Sequence, residues 1–316
     1  MGVRSARIRG AHRPHLGGGW ILTGPVNSAS LGGEVAARSG PTARIPDRSA
    51  AAIELRDATK RFRTPSRTFY TAVRDLSFTV AHGEFCAIVG PTGSGKSTTL
   101  SLIAGLDAPS RGQVLVLGEP VAGVTRRAGY MFQTDAVFPW KNVLQNVVTG
   151  PVYRGMELGE ARRRARDWIT RVGLAGFEDR YPNQLSGGMR KRVALAQSLI
   201  NEPQILLMDE PFAALDVQTR TLMENELLEL WSQTSASVVF VTHDLEEAIS
   251  LADRVLVFTA APATLKRSYP IDLPRPRNVT EIRFDPRFAR IYAQIWEDLR
   301  SEVMVAYERS TRGHHA

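Results

Sequence analysis

The sequence predicts an α/β fold around a largely parallel sheet, and three observations carry that prediction. Continuous apolar runs at residues 85–89, 205–208, 238–241 and 255–258 read as short strands covered on both faces. Helical patterns separate most of them, the alternation expected where crossover helices join parallel strands. Between about residues 135 and 200 the strand signal disappears, while residues 162–172 and 188–200 carry helical spacing. A helical subdomain is therefore expected as an insertion. The chain of 316 residues, 43% apolar and 23% charged, is long enough to bury a substantial core.

Taken in order, residues 1–50 hold seven arginines against Glu34 and Asp47, most of the chain's net charge of +8. Gly, Ala, Arg, Ser and Pro dominate there, so apolar burial cannot offset the entropy of ordering, and residues 1–51 read as a disordered basic leader. Trp20-Ile21-Leu22 is too short for the apolar core of a signal peptide. Its arginines suit nucleic acid or anionic lipid, and the simpler reading is a passive extension. The folded domain is expected over 52–260. Ile53-Glu54-Leu55 and Leu76-Ser77-Phe78-Thr79-Val80 alternate like strands with one buried face, and His82-Gly83 makes a turn. Asp216 and Asp244 stand where helix N-caps belong. Residues 261–316 form an extension with a helix over about 286–307. The single cysteine, Cys86, excludes a disulfide framework and reads as a small core residue. No apolar run approaches the roughly 20 residues needed to span a bilayer.

The strongest motif is Gly90-Pro91-Thr92-Gly93-Ser94-Gly95-Lys96-Ser97, followed by Thr98, with a strand before it and a helix after. It fits the phosphate-binding loop. Glycines let backbone N–H groups wrap phosphates, and the helix start adds its positive dipole end. Lys96 can reach the β- and γ-phosphates, and the Ser97 hydroxyl can hold Mg²⁺. A second element, Ile205-Leu206-Leu207-Met208-Asp209-Glu210, ends an apolar strand in two carboxylates. Asp209 suits Mg²⁺, and Glu210 can polarise an attacking water.

Leu185-Ser186-Gly187-Gly188-Met189-Arg190, ahead of a helical pattern and upstream of Asp209, resembles the signature motif of ABC-type ATPases. Around it, in the order that family shows, Phe62 resembles the aromatic that stacks on adenine and Gln133 the Q-loop glutamine. Asp216 in Ala214-Leu215-Asp216 resembles the D-loop aspartate, and His243 the switch histidine. Met189 departs from the common Gln, and Phe62 from the common Tyr or Trp. Asp209-Glu210-Pro211-Phe212-Ala213-Ala214-Leu215-Asp216, Val137-Phe138-Pro139-Trp140 and Leu273-Pro274-Arg275-Pro276-Arg277 are similar to nitrate/sulfonate/taurine-type importer ATPases.

The resemblance implies a P-loop NTPase core with a mainly parallel sheet, an N-terminal antiparallel β part and the inserted helical subdomain. It implies ATP and Mg²⁺, the latter held by Ser97, Gln133 and Asp209, with Glu210 and His243 catalytic. Phe62, Gly90 to Thr98 and Gln133 would bind ATP, and Leu185 to Met189 would contact the nucleotide of a second ATPase subunit. The remaining partners would be an integral membrane permease and, indirectly, a solute-binding protein, at the cytoplasmic face of the cell membrane. No nucleic acid is expected. Phe138, Pro139 and Trp140 have two readings, a groove for the permease or ordinary core packing, and the arginines at 162–166 read as a solvated helix face. The alternatives are a soluble, non-transport ABC ATPase, or one serving another cargo such as a thiamine-pyrimidine precursor. Co-purification with solubilised membranes separates the first of these from an importer.

Overall fold

The structure, a computed structural model, describes residues 51–312 apart from Ser66 and Asp135. The basic leader expected over 1–51 lies outside the described residues, but for Ala51, which opens the first strand. β1 (Ala51–Arg63) and β2 (Phe69–Ala81) form a long antiparallel hairpin. β3 (Phe85–Val89) leads through the Gly-rich loop into α1 (Lys96–Ala104). β4 (Arg111–Val116) and β5 (Glu119–Pro120) then join the hairpin in an antiparallel sheet of order β2-β1-β4-β5.

β6 (Ala128–Met131) precedes the helical stretch α2 (Val143–Tyr153), α3 (Leu158–Arg171) and α4 (Gly187–Leu199). Asn142 starts α2 with a reciprocal capping box to Gln145. α3 buries Ala161, Ala165, Trp168 and Ile169, one helical stripe, and turns Arg162, Arg163 and Arg166 to solvent. β7 (Ile205–Asp209), α5 (Val217–Ser232), β8 (Ser237–Val241), α6 (Leu245–Leu251) and β9 (Arg254–Phe258) follow. Asp216 caps α5 by accepting from the Thr219 N–H, and Asp244 caps α6 by accepting from Glu246 and Glu247. β10 (Leu265–Pro270), α7 (Val279–Ile282) and α8 (Pro286–Arg312) complete the described chain.

The main sheet runs β10-β9-β3-β8-β7-β6, parallel throughout except for β10 at its edge. Alternate residues of its central strands feed two cores. Phe85, Ala87, Met208 and Phe240 enter the core on the side of the helical stretch, where the Phe85 ring meets Trp231 edge-on at 5.3 Å. Cys86, Ile88, Leu207 and Val239 enter the core shared with α1 and the antiparallel sheet.

The segment after β9 is built into the first of these cores. Ile271, Leu273, Val279, Ile282, Ile295 and Leu299 are buried there. β10 is polar by sequence because it lies under α8: Lys266 pairs with Glu302 at 2.9 Å and Arg267 with Asp298 at 3.2 Å. Arg277 is buried and donates to six carbonyls, those of Pro274, Ile249, Ser250, Ala252, Ile271 and Leu273. Three of these belong to the end of α6 and the residue after it, where a cation also meets the negative end of the helix dipole. Burial pulls the guanidinium down to about 10, still protonated at neutral pH. Arg277→Met removes those donors and strands buried carbonyls, so a loss of about 3 kcal/mol or more is expected by denaturant titration.

Candidate functional site

Four neighbouring strands deliver chemistry to one edge of the main sheet. β3 ends in the Gly-rich loop, β6 in the segment holding Gln133, β7 in Asp209 and Glu210, and β8 two residues before His243. The carboxyl ends of parallel strands are where ligands bind in open α/β sheets. A cleft of about 520 Å³ opens there, lined by Phe62, Thr92, Gly93, Ser94, Gly95, Lys96, Ser97, Thr98, Gln133, Glu210 and His243. Tyr70 and Ala72 of β2 complete its wall.

The loop can form because Gly95 adopts φ +100°, and a Cβ there would stand 2.6 Å from the Ala72 carbonyl. α1 begins at once, so its first N–H groups face the cleft mouth with no acid in the first turn. Lys96 is buried, and its Nζ donates to the carbonyls of Gly90 (2.9 Å) and Pro91 (3.0 Å) at the base of the loop. Burial lowers its basicity, while Glu210 and Asp209 act the other way. The buried Ser94 hydroxyl has no hydrogen-bond partner, a polar atom left in the cradle for a ligand oxygen.

Ser97 Oγ donates to Asp209 Oδ1 at 3.0 Å. Burial raises the Asp209 carboxyl, with Ser97 and Lys96 opposing. A hydroxyl and a carboxylate this close are hard oxygen donors and fit Mg²⁺. Among the described residues no group of three or more His, Cys, Asp or Glu could hold a metal by itself.

Glu210 sits beyond the end of β7 at φ +42°, a left-handed conformation that costs a non-glycine residue free energy and recurs at functional sites. Its N–H still donates to the Val241 carbonyl at 2.9 Å, which fixes it beside β8. One carboxylate oxygen, Oε2, lies 3.3 Å from Gln133 Nε2 and 3.1 Å from His243 Nδ1. Two side chains from neighbouring strand ends thus aim a single carboxylate.

The remaining predicted residues lie elsewhere. Leu185 to Met189 do not line the cleft. Leu185 is buried, while Ser186 is exposed and caps α4 by accepting from the Met189 N–H at 3.2 Å. Gly188 has no room for a Cβ, which would stand 2.8 Å from Thr219 Cγ2, so the starts of α4 and α5 approach closely. Asp216 is exposed at the start of α5, its carboxyl lowered by the Thr219 N–H it caps. Trp140 is 70% exposed and so is not core packing, with its ring 5.6 Å from Phe138. Tyr70 was missed by the sequence reading. Its signal was positional: Phe62 and Tyr70 stand at matching distances on either side of the hairpin turn, as register partners do.

Behind His243, α5 and α6 each carry a buried carboxyl. Glu247 accepts from the Thr242 hydroxyl, and Glu224 of α5 lies 3.9 Å from the Arg283 guanidinium. Burial raises Glu224 to about 7 and Glu247 to about 8. Both folded-state values exceed the ordinary 4.5, so the stability they contribute is complete below about pH 4.5 and is lost as pH rises through 7 to 8. Thermal scans from pH 5.5 to 8.5 should show a falling melting temperature. The Glu224→Gln/Glu247→Gln double variant should show a flatter profile.

The family model described as ABC transporter matches residues 73–213. An uncharacterized ABC transporter ATP-binding protein of Methanocaldococcus jannaschii is 45% identical over 238 residues, 75% of this chain and 89% of the relative. The nitrate import ATP-binding protein of Synechocystis is 41% identical over 253 residues (78% and 95%), and the taurine import ATP-binding protein of Burkholderia pseudomallei 42% over 237 (74% and 91%). An ATP-binding cassette solved as a dimer in a post-hydrolysis state with ADP and Pi superposes with TM-score 0.63 at 31% identity, covering 70% of this chain and all of that one. A phosphate-loop α/β fold with this cleft defines an ATPase domain. The chain belongs to the ABC transporter ATP-binding family.

Proposed function

We propose that this chain is the ATP-hydrolysing, energy-coupling subunit of an ABC importer for a small anionic or organic solute such as nitrate, a sulfonate or taurine. The observation that carries the reading is the meeting of a complete phosphate loop with Glu210, which Gln133 and His243 both hold, at one edge of the sheet. Lys96 and the N–H groups of the loop bind the phosphates, and Phe62 stacks on the base. Ser97 and Asp209, with Gln133, would hold Mg²⁺, which when bound would supply positive charge against the phosphates. Glu210 takes the proton of the attacking water, and His243 keeps its carboxylate in place.

Two such subunits pair. Leu185 to Met189 lie away from their own chain's cleft, which supports their serving a partner's nucleotide, with the start of α4 as the anion-binding end. A groove of about 290 Å³ along β6, α2 and α4, lined by Phe132, Phe138, Asn146, Arg154 and Gln197, would take an element of the permease. Phe132 of that lining is next to Gln133 in sequence. No helix among the described residues is long and apolar enough to cross a membrane, so attachment at the cytoplasmic face rests on that partner.

The test is Mg²⁺-dependent ATP hydrolysis by the purified chain, and its recovery from detergent-solubilised membranes with a permease. Hydrolysis accompanied by recovery with ribosomes instead of membranes would overturn the transport reading. Absence of hydrolysis both alone and with the membrane partner would overturn the enzymatic one.

A further inference from the structure

We infer that Tyr70 is the second wall of the nucleobase site, opposite Phe62, an assignment that rests on reading the cleft as an ATP site. Phe62 and Tyr70 are register partners across the β1–β2 hairpin, so their side chains leave the same face of the ribbon. The turn between them is fixed by the Thr64 N–H to the Thr68 carbonyl and the Arg67 N–H to the Thr64 carbonyl, both 2.9 Å.

β2 itself spans the cleft. Ala72 lines it where the Ala72 carbonyl crowds Gly95 of the phosphate loop. Tyr70, two residues back along the strand and also in the cleft wall, lies about 7 Å farther out. One strand therefore runs from the place where phosphates would sit to the place where a flat base would sit.

The two rings are not equivalent. Lys60 Nζ stands 4.9 Å from the centroid of the Phe62 ring and is itself held by Asp107 at 2.7 Å and the Ala108 carbonyl at 3.0 Å. One face of Phe62 is thus occupied, leaving a single face for a base. Tyr70 is 46% exposed at the mouth of the cleft, a large ring with ample surface to cover. A base stacked on Phe62 alone would leave that ring in water. Placed against both residues, it is bounded on two sides, and the added contact favours a nucleoside triphosphate over bare polyphosphate.

The experiment measures ATP and inorganic tripolyphosphate binding to the full chain by calorimetry. Tyr70→Ala should weaken ATP about tenfold, within the range for removing one base-stacking ring, and leave tripolyphosphate within about twofold. Tyr70→Phe, which keeps the ring and removes the hydroxyl, should bind ATP within about twofold of the parent. Tyr70→Thr, β-branched and suited to a strand, repeats the ring deletion if the alanine variant does not fold. Equal loss for ATP and tripolyphosphate would make Tyr70 a support of the cleft wall, and an unchanged ATP affinity in both ring deletions would remove it from the site. Failure of the unmodified chain to bind ATP would overturn the underlying reading, and this assignment with it.

Discussion

Glu210→Gln is expected to abolish ATP turnover while leaving ATP binding intact. The amide keeps the shape of the carboxylate and its neighbours Gln133 and His243, but it cannot take a proton from water. Loss of a general base costs about 10²- to 10⁴-fold in rate. The proposed phosphate contacts, Lys96, the loop and α1, are not touched by the change. ATP should then accumulate between two subunits and hold them together, so size-exclusion chromatography with ATP should show a dimer that the parent chain shows only transiently. Near-normal hydrolysis by the variant would remove Glu210 from the role assigned to it.

The second large effect separates the two halves of a shared site. Lys96→Ala should weaken ATP binding by about ten- to a hundredfold, since a charge-assisted phosphate contact is lost. Ser186→Arg should spare ATP binding by the single chain, because Ser186 lies outside its own cleft, but the added bulk should block closure against a partner. It also removes the cap on α4, about 1 kcal/mol, so the melting temperature must be recorded beside the activity. Mixing the two inactive variants yields heterodimers in which one composite site carries both lesions and the other carries none. Recovered hydrolysis in the mixture is expected if one intact site suffices. Loss of ATP binding by isolated Ser186→Arg would refute the shared-site reading.

Much of this site was legible because its chemistry sits in short, contiguous strings. Residues 90–98 and 205–210 announce their geometry locally: a strand that ends, a loop that wraps, a carboxylate at a tip. The sheet's central strands were equally plain, since burial on both faces demands unbroken apolar runs. What escaped was structure whose cause is distant in sequence. β6 reads Ala128-Gly129-Tyr130-Met131, with little strand propensity, and Gly129 is needed because a Cβ would stand 2.9 Å from the Ser198 carbonyl of α4. β10 has no apolar run to mark it as a strand, and its Lys266 and Arg267 find partners only when α8 supplies Asp298 and Glu302. Tyr70 belongs to the cleft only through a partner across a hairpin, and the convergence of Gln133 and His243 on one oxygen of Glu210 depends on strand order, which no local pattern encodes.

The six carbonyls gathered by Arg277 give the extension a mechanical meaning. α6 has seven residues, about 10 Å of helix, too short to bend. His243 lies just ahead of one end, and the guanidinium grips the other. Such a strut passes displacement from end to end. Whatever pulls on the chain beyond Ile271, whether a fused reporter, a docked protein or a shortened gene, therefore acts on the same strut that carries the histidine beside the Glu210 carboxylate. A minimal cassette trimmed after β9 would keep every nucleotide motif in its sequence and lose the anchor that sets where one of them stands.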